Sequence, residues 1–133
     1  MTPQLEEAQR LFRLALRDQE TFALLLPLPR ASLAAIGFHA QQAAEKALKA
    51  IAVLRGIEFQ RTHDLAALAQ SILESGGELC LPIDELRRIN PFAVEFRYDD
   101  EIIPAISRDE LETLLTAVIK QAGLLVEDAR HNL

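Results

Sequence analysis

Tryptophan is missing from this sequence, and cysteine is nearly so: one residue, Cys80, in 133 positions. A single cysteine excludes an internal disulfide and any cysteine-based zinc site, and a lone thiol without context reads as a small hydrophobe. Long apolar runs are missing as well. The longest, FALLLPL, is far below the ~20 residues a membrane-spanning helix needs, and it contains a proline. The N-terminal stretch MTPQLEEAQR carries acids and no apolar core, so no secretory leader is expected and the protein is read as soluble and cytoplasmic. Basic runs are equally scarce, none exceeding Arg87-Arg88, and the net charge is -6. Affinity for nucleic acid comes largely from phosphate neutralisation by Lys and Arg. That balance argues against a broad nucleic-acid surface and leaves room only for a local phosphate pocket. No glycine-rich phosphate loop, serine triad or deaminase zinc motif occurs. The three histidines, His39, His63 and His131, follow no ligand spacing, so neither a metal nor a cofactor is expected.

What is abundant is leucine and alanine, both good helix formers, in a chain that is 50% hydrophobic. At this length one core removes roughly 65–70% of the unfolded surface from water. A single all-α domain over residues 1–133 is the consequence. The hydrophobic share is high for a small acidic protein, which points to apolar surface covered by a second copy or another chain.

Helix signals recur along the chain. Thr2-Pro3 opens a first helix, expected to run to about residue 25 with Leu5, Ala8, Leu11 or Phe12, Ala15, Gln19 and Phe22 on its apolar stripe. LPLPRAS breaks it, since two prolines lie two apart. Ser32 caps a second helix, predicted over about 32–55, whose stripe is Leu33, Ile36, Ala40, Ala44, Ala47, Ile51 and Leu54. Arg55-Gly56 stops it. After IEFQRTHD, a third helix begins near His63 or Asp64, carries Leu65, Leu68, Ala69, Ile72 and Leu73, and ends at Gly76-Gly77. A short segment opens at Pro82-Ile83-Asp84 with Leu86 and Ile89 inward, and Pro91 kinks or ends it. FAVEFRY, residues 92–98, is read as a helical continuation. Ser107-Arg108-Asp109-Glu110 is a capping box for the last helix, with Leu111, Leu114, Val118, Ala122, Leu125 and Ala129 as its seam. The expected architecture is an antiparallel up-and-down bundle of four main helices plus a short helix.

Several polar residues stand out. Gln41, Glu45 and Lys49 are i, i+4 neighbours, and Glu before Lys is the favoured order on an exposed face, so Glu45 and Lys49 are expected on a solvated side. His39, Gln42 and Lys46 form a row along the edge of the second helix's apolar stripe. There they either fix a bundle or dimer register or serve a ligand or phosphate. Buried polar groups need partners, each orphan costing roughly 1–3 kcal/mol. In RTHDL, Asp64 is a helix cap, His63 a structural histidine or a ligand contact, and Arg61 a possible anion contact beside a helix N-terminus. FRYDD gathers Arg97, Tyr98, Asp99 and Asp100.

FHAQQAAEKALKAIAVLRG, then RTHDL, then FRYDD, in that order, resembles the HEPN domain family, and within it the short prokaryotic proteins paired with a minimal nucleotidyltransferase. The resemblance spans roughly residues 5–130. It implies a HEPN-like helical bundle, a homodimer, and a place in a two-gene module of toxin–antitoxin type with that nucleotidyltransferase. Many such proteins are metal-independent ribonucleases with an R-x(4–6)-H site. Here Arg97 stands where the motif arginine would, but YDDEIIPAIS follows and no arginine has a histidine four to six residues on. The resemblance therefore implies a subunit that binds nucleotide or RNA through a small polar cleft without the usual ribonuclease site. Arg97 and Asp99 are the catalytic candidates. Arg97, Tyr98, Asp99, His39, Gln42, Lys46, Arg61 and His63 are the binding candidates: Arg97, Lys46 and Arg61 for phosphate, Tyr98 for stacking or modification. A toxin ribonuclease with a divergent site and a purely structural dimeric module are the alternatives.

Overall fold

In the computed structural model, residues 1–59, 61–93 and 105–132 are described. They form five α-helices, α1 (Pro3–Leu25), α2 (Leu33–Leu54), α3 (Leu65–Glu74), α4 (Ile83–Arg87) and α5 (Arg108–His131), with a 3₁₀ turn at Asn90–Ala93, and no strand. Four main helices and a short one make an all-α bundle.

Each long helix starts where its capping chemistry lies. Thr2 Oγ1 accepts from Leu5 N at 3.1 Å and Ser32 Oγ from Ala35 N at 3.1 Å. Asp64 Oδ1 accepts from Ala66 N and Ala67 N at 3.0 and 3.2 Å, which settles the start of α3 one residue after His63-Asp64. Ser107 and Glu110 complete the reciprocal capping box of α5. These bonds satisfy amide donors that the first helical turn leaves without intrahelical partners. Gly56 and Gly76, with φ of 69° and 89°, take the left-handed conformation that ends α2 and α3.

The chain runs up α1 and down α2. Gln4 Nε2 of α1 reaches the Val53 carbonyl at the far end of α2, while Asp18 pairs with Lys46. The chain has climbed back along α2 by His63, which lies against Gln41 and Glu45, whereas Ser75, at the other end of α3, meets Arg55. α3 accordingly runs down beside α2. α4 and the 3₁₀ turn climb again, from Cys80 near Gln121 to Asn90 beside Asp64, and α5 descends.

α2 is the centre of the bundle. Ile36, Ala40, Ala43, Ala44, Ala47, Leu48, Ala50, Ile51 and Ala52 are all at most 1% exposed. Small alanine side chains let neighbours approach from several sides, so the burial wraps most of the helix rather than one stripe. Leu33 and Leu54, expected on that stripe, are only partly buried at its ends. In α1, Leu11 rather than Phe12 is buried, and Gln19 is only half-buried. In α3, Leu73 is 41% exposed. In α5 the expected seam drifts off the core at its C-terminal end: Leu125 is 38% exposed and Ala129 half-buried, and Val126 is buried instead. Steps of three and four alternate imperfectly around a 3.6-residue turn, and the last step falls the other way.

Pro91 lies in the 3₁₀ turn that ends this leg, where α4 has already closed at Arg87. Of the helical continuation expected over 92–98, Phe92 and Ala93 belong to that 3₁₀ turn, and the remainder lies outside the described residues. Phe92 is 1% exposed and packs on Gly37 of α2 so closely that a Cβ there would meet its ring carbons at 2.2–2.5 Å. This contact seats the 3₁₀ turn on α2, two residues before His39.

Candidate functional site

α1, α3, α5 and the 3₁₀ turn cover much of α2, and among the described residues its partly open positions include one polar row. His39, Gln42, Lys46 and Lys49 are all of intermediate burial. Their spacings of three and four place them along about three turns of one side.

Two carboxylates organise this edge, one buried and one half-buried. The first is Glu45, 4% exposed. Its Oε2 accepts from Lys49 Nζ at 3.0 Å, and its Oε1 meets His63 Nδ1 at 2.7 Å and Gln41 Nε2 at 3.1 Å. Gln41, fully buried, also donates to the His63 carbonyl at 2.9 Å and accepts from Gln42 Nε2 at 2.7 Å. The expectation of a solvated Glu45 and Lys49 is thus overturned. Residues 57–59 and 61–64 lie against that side of α2, leaving Glu45 buried and Lys49 only partly open. Burial alone would raise the Glu45 carboxyl, but the hydrogen bonds from Lys49, His63 and Gln41, with the Lys49 charge, outweigh it and hold the group below the usual carboxylate range. Lys49 also lies 5.8 Å from the Phe59 ring centroid, over its face.

The second carboxylate is Asp18, on α1. It binds Lys46 Nζ through Oδ2 and approaches His39 Nδ1 to 3.6 Å through Oδ1. Gln42 lies between His39 and Lys46 in the row, and its amide donates to Gln41 Oε1.

The residues singled out from the sequence are distributed as follows. His39, Gln42 and Lys46 share the α2 edge. His63, its side chain 68% exposed, stands beside them and is tied to Glu45. Arg61 is exposed on the same segment, three residues before the Asp64 cap, and makes no ion pair among the described residues. Arg97, Tyr98 and Asp99 lie outside the described residues. Asp18, Gln41 and Glu45 are additions the sequence does not mark as functional. Asp18 sits in an ordinary RDQE run, and only the antiparallel crossing of α1 on α2 brings it to Lys46. No cluster of three or more His, Cys, Asp or Glu that would hold a metal occurs among the described residues. A cavity of about 460 Å³ opens elsewhere, at the C-terminal ends of α2 and α3. Its Arg55 is occupied with Ser75 Oγ at 2.6 Å and the Ser75 carbonyl at 2.9 Å, which makes that arginine a cap for α3.

The model of the HEPN domain matches residues 8–129 of this sequence. The chain belongs to the HEPN domain family. No curated protein and no solved structure matches it. The family match spans all five helices of the bundle. The α2 motif on which the resemblance rests is therefore two things at once. Its alanines are the core of a HEPN bundle, and of its polar letters Gln41 and Glu45 are buried while His39, Gln42, Lys46 and Lys49 stay partly open. No described helix of this HEPN chain is long and apolar enough to cross a membrane.

Proposed function

We propose that this HEPN protein binds a nucleotide or an RNA end along the open edge of α2, as a homodimeric, cytoplasmic subunit of a two-gene, toxin–antitoxin-type module with a minimal nucleotidyltransferase. It does so without the usual ribonuclease site. The observation that carries the reading is the edge itself: a largely buried helix keeps a row of partly open polar residues, His39, Gln42, Lys46 and Lys49. Carboxylates Asp18 and Glu45 fix both lysines, so their donors are held in place before a ligand arrives. Arg61 adds an exposed cation two residues before His63, which is bonded to Glu45. Phosphate recognition by a few placed cations suits an acidic protein that lacks a basic surface.

Arg97, Tyr98 and Asp99 are proposed to complete the site. Four peptide steps separate Arg97 from Ala93, which bounds its distance from the 3₁₀ turn to about 14 Å. General acid–base catalysis by a placed side chain contributes about 10²- to 10⁴-fold, and the motif histidine that would supply it is missing from the sequence. Exposed leucines on α1 (Leu24, 67%) and α5 (Leu124, 63%) are consistent with a second copy covering apolar surface.

The reading is tested by titrating purified protein with nucleotides and short RNAs. Saturable binding that disappears in Arg97→Ala supports it, and absence of binding to every nucleotide and RNA refutes it. One observation favours a second reading, a purely structural module: the Glu45–Gln41–His63 network is satisfied entirely from within the chain. That reading predicts that His39→Ala or Gln42→Ala changes stability or oligomeric state and leaves ligand binding untouched.

A further inference from the structure

Asp18 belongs to α1 but serves the edge of α2. Its Oδ2 is bound to Lys46 Nζ, and its Oδ1 stands 3.6 Å from His39 Nδ1. That nitrogen is buried and has no hydrogen-bond partner among the described residues. Buried polar atoms without a partner are rare, and this separation exceeds a hydrogen bond by only about half an ångström. The other close neighbour of the imidazole is the Phe38 ring, edge-on at 5.3 Å between centroids, which offers no acceptor. Among the described residues, Asp18 from α1 is the charged group paired with the ring, Lys46 from α2 holds the other oxygen of Asp18, and the 3₁₀ turn Asn90–Ala93 carries no charge.

A neutral imidazole carries one N–H and one lone pair, whereas an ionised carboxylate only accepts. The Asp18 oxygen that faces the ring selects the tautomer that has its proton on Nδ1. The lone pair is then left on Nε2. Nδ1 is buried while 26% of the His39 side chain remains exposed, so the accessible part of the ring is the part away from Asp18. The edge of α2 thereby presents an acceptor among the cationic donors.

We propose that Asp18 is a positioning residue that fixes His39 as this acceptor, and that the acceptor takes a ribose 2′-hydroxyl. The site would then distinguish ribonucleotides from deoxyribonucleotides. The proposal rests on reading the α2 edge as the nucleotide or RNA site. The 2′-hydroxyl is a hydrogen-bond donor that DNA lacks, and an acceptor beside fixed ammonium groups pairs with a hydroxyl next to phosphate.

Two measurements test it. The first is the ¹⁵N NMR spectrum of the His39 ring at pH 8.5, which reports the tautomer whether or not a ligand binds. The second is fluorescence anisotropy with matched oligoribonucleotide and oligodeoxyribonucleotide at fixed salt. The wild type is expected to show the Nδ1–H tautomer and to favour the ribose strand by about 3- to 10-fold, the range of one net hydrogen bond. Asp18→Ala, checked for folding by circular dichroism, is expected to lose both the tautomer and the preference. Asp18→Glu retains both. Lys46→Met weakens both strands together and leaves the preference. An Nε2–H tautomer in the wild type, or a ribose preference unchanged in Asp18→Ala, overturns the positioning role. If the wild type binds neither strand, the α2-edge site and the ribose selection both fall, while the NMR result still decides what Asp18 does to His39.

Discussion

Glu45 and Lys49 offer the most discriminating perturbation of this fold. Glu45 is 4% exposed and the Lys49 side chain 16%, and their atoms meet at 3.0 Å. Removing one partner of a buried ion pair leaves an uncompensated charge and typically costs about 3–5 kcal/mol. Lys49 retains some solvent and its ammonium group lies over the Phe59 ring, so its charge is partly relieved when Glu45 is lost. His63 is 68% exposed, so its bond to Glu45 is screened and contributes under about 1 kcal/mol. Glu45→Ala also removes one of the two acceptors of the fully buried Gln41 amide, for about another 1 kcal/mol. The expected losses are therefore about 2–4 kcal/mol for Glu45→Ala and for Lys49→Met separately. The double variant, which leaves no bare charge, should be less destabilised than the sum by about 1–3 kcal/mol. Urea unfolding followed by circular dichroism at pH 7 measures all four proteins. Single losses below about 0.5 kcal/mol, the level of an exposed i, i+4 pair, would refute the buried-pair account and restore a solvated face. Acid adds a second arm. The Glu45 carboxyl is lowered in the fold, so its contribution is present above the ordinary carboxylate value, about 4.3, and is lost as pH falls through the lower folded value. Glu45→Gln should flatten the acid limb of the stability profile in that window.

Gly37→Ala forces a methyl group into the Phe92 ring and should cost about 1–3 kcal/mol in urea unfolding; an unchanged midpoint would mean that the 3₁₀ turn is not seated on α2. Arg108 donates to the carbonyls of Leu26, Leu28 and Ala31, each at 2.7 Å, clamping the α1–α2 connection to the start of α5. Arg108→Ala should lose about 2–3 kcal/mol, since hydrogen bonds to charged groups are worth ~1.5–3 kcal/mol and water partly replaces these, and hydrogen exchange over residues 26–31 should rise with it.

Helix starts were the most legible feature of the sequence, because a cap is a local bond between residues two or three apart. Thr2, Ser32, Asp64 and Ser107 each sit at the position where the bond forms. The α2 stripe was legible only in part. Periodicity shows that one side is apolar, but it does not show that alanines on the other sides are also covered, which depends on where α1, α5 and the 57–64 segment lie. The same segment explains why Glu45 and Lys49 read as surface residues: their spacing is that of an exposed pair, and a stretch beginning more than seven residues later buries them. Asp18 and the Gly37–Phe92 contact likewise depend on pairings 21 or more residues apart in sequence, which no local pattern carries. The row His39, Gln42, Lys46 was visible from helical spacing alone, whereas the carboxylates that hold it were not.

The central claim, that the open edge of α2 holds a nucleotide or RNA end, is tested most directly by equilibrium anisotropy with a labelled oligoribonucleotide, comparing the wild type with Lys46→Met across a salt series. A local site with one to three phosphate contacts predicts saturable binding, with a log–log salt slope of about -1 to -2. Lys46→Met should weaken that binding at least severalfold and lower the slope by roughly 0.7. Binding that never saturates, or that is identical in Lys46→Met at every salt concentration, would contradict it.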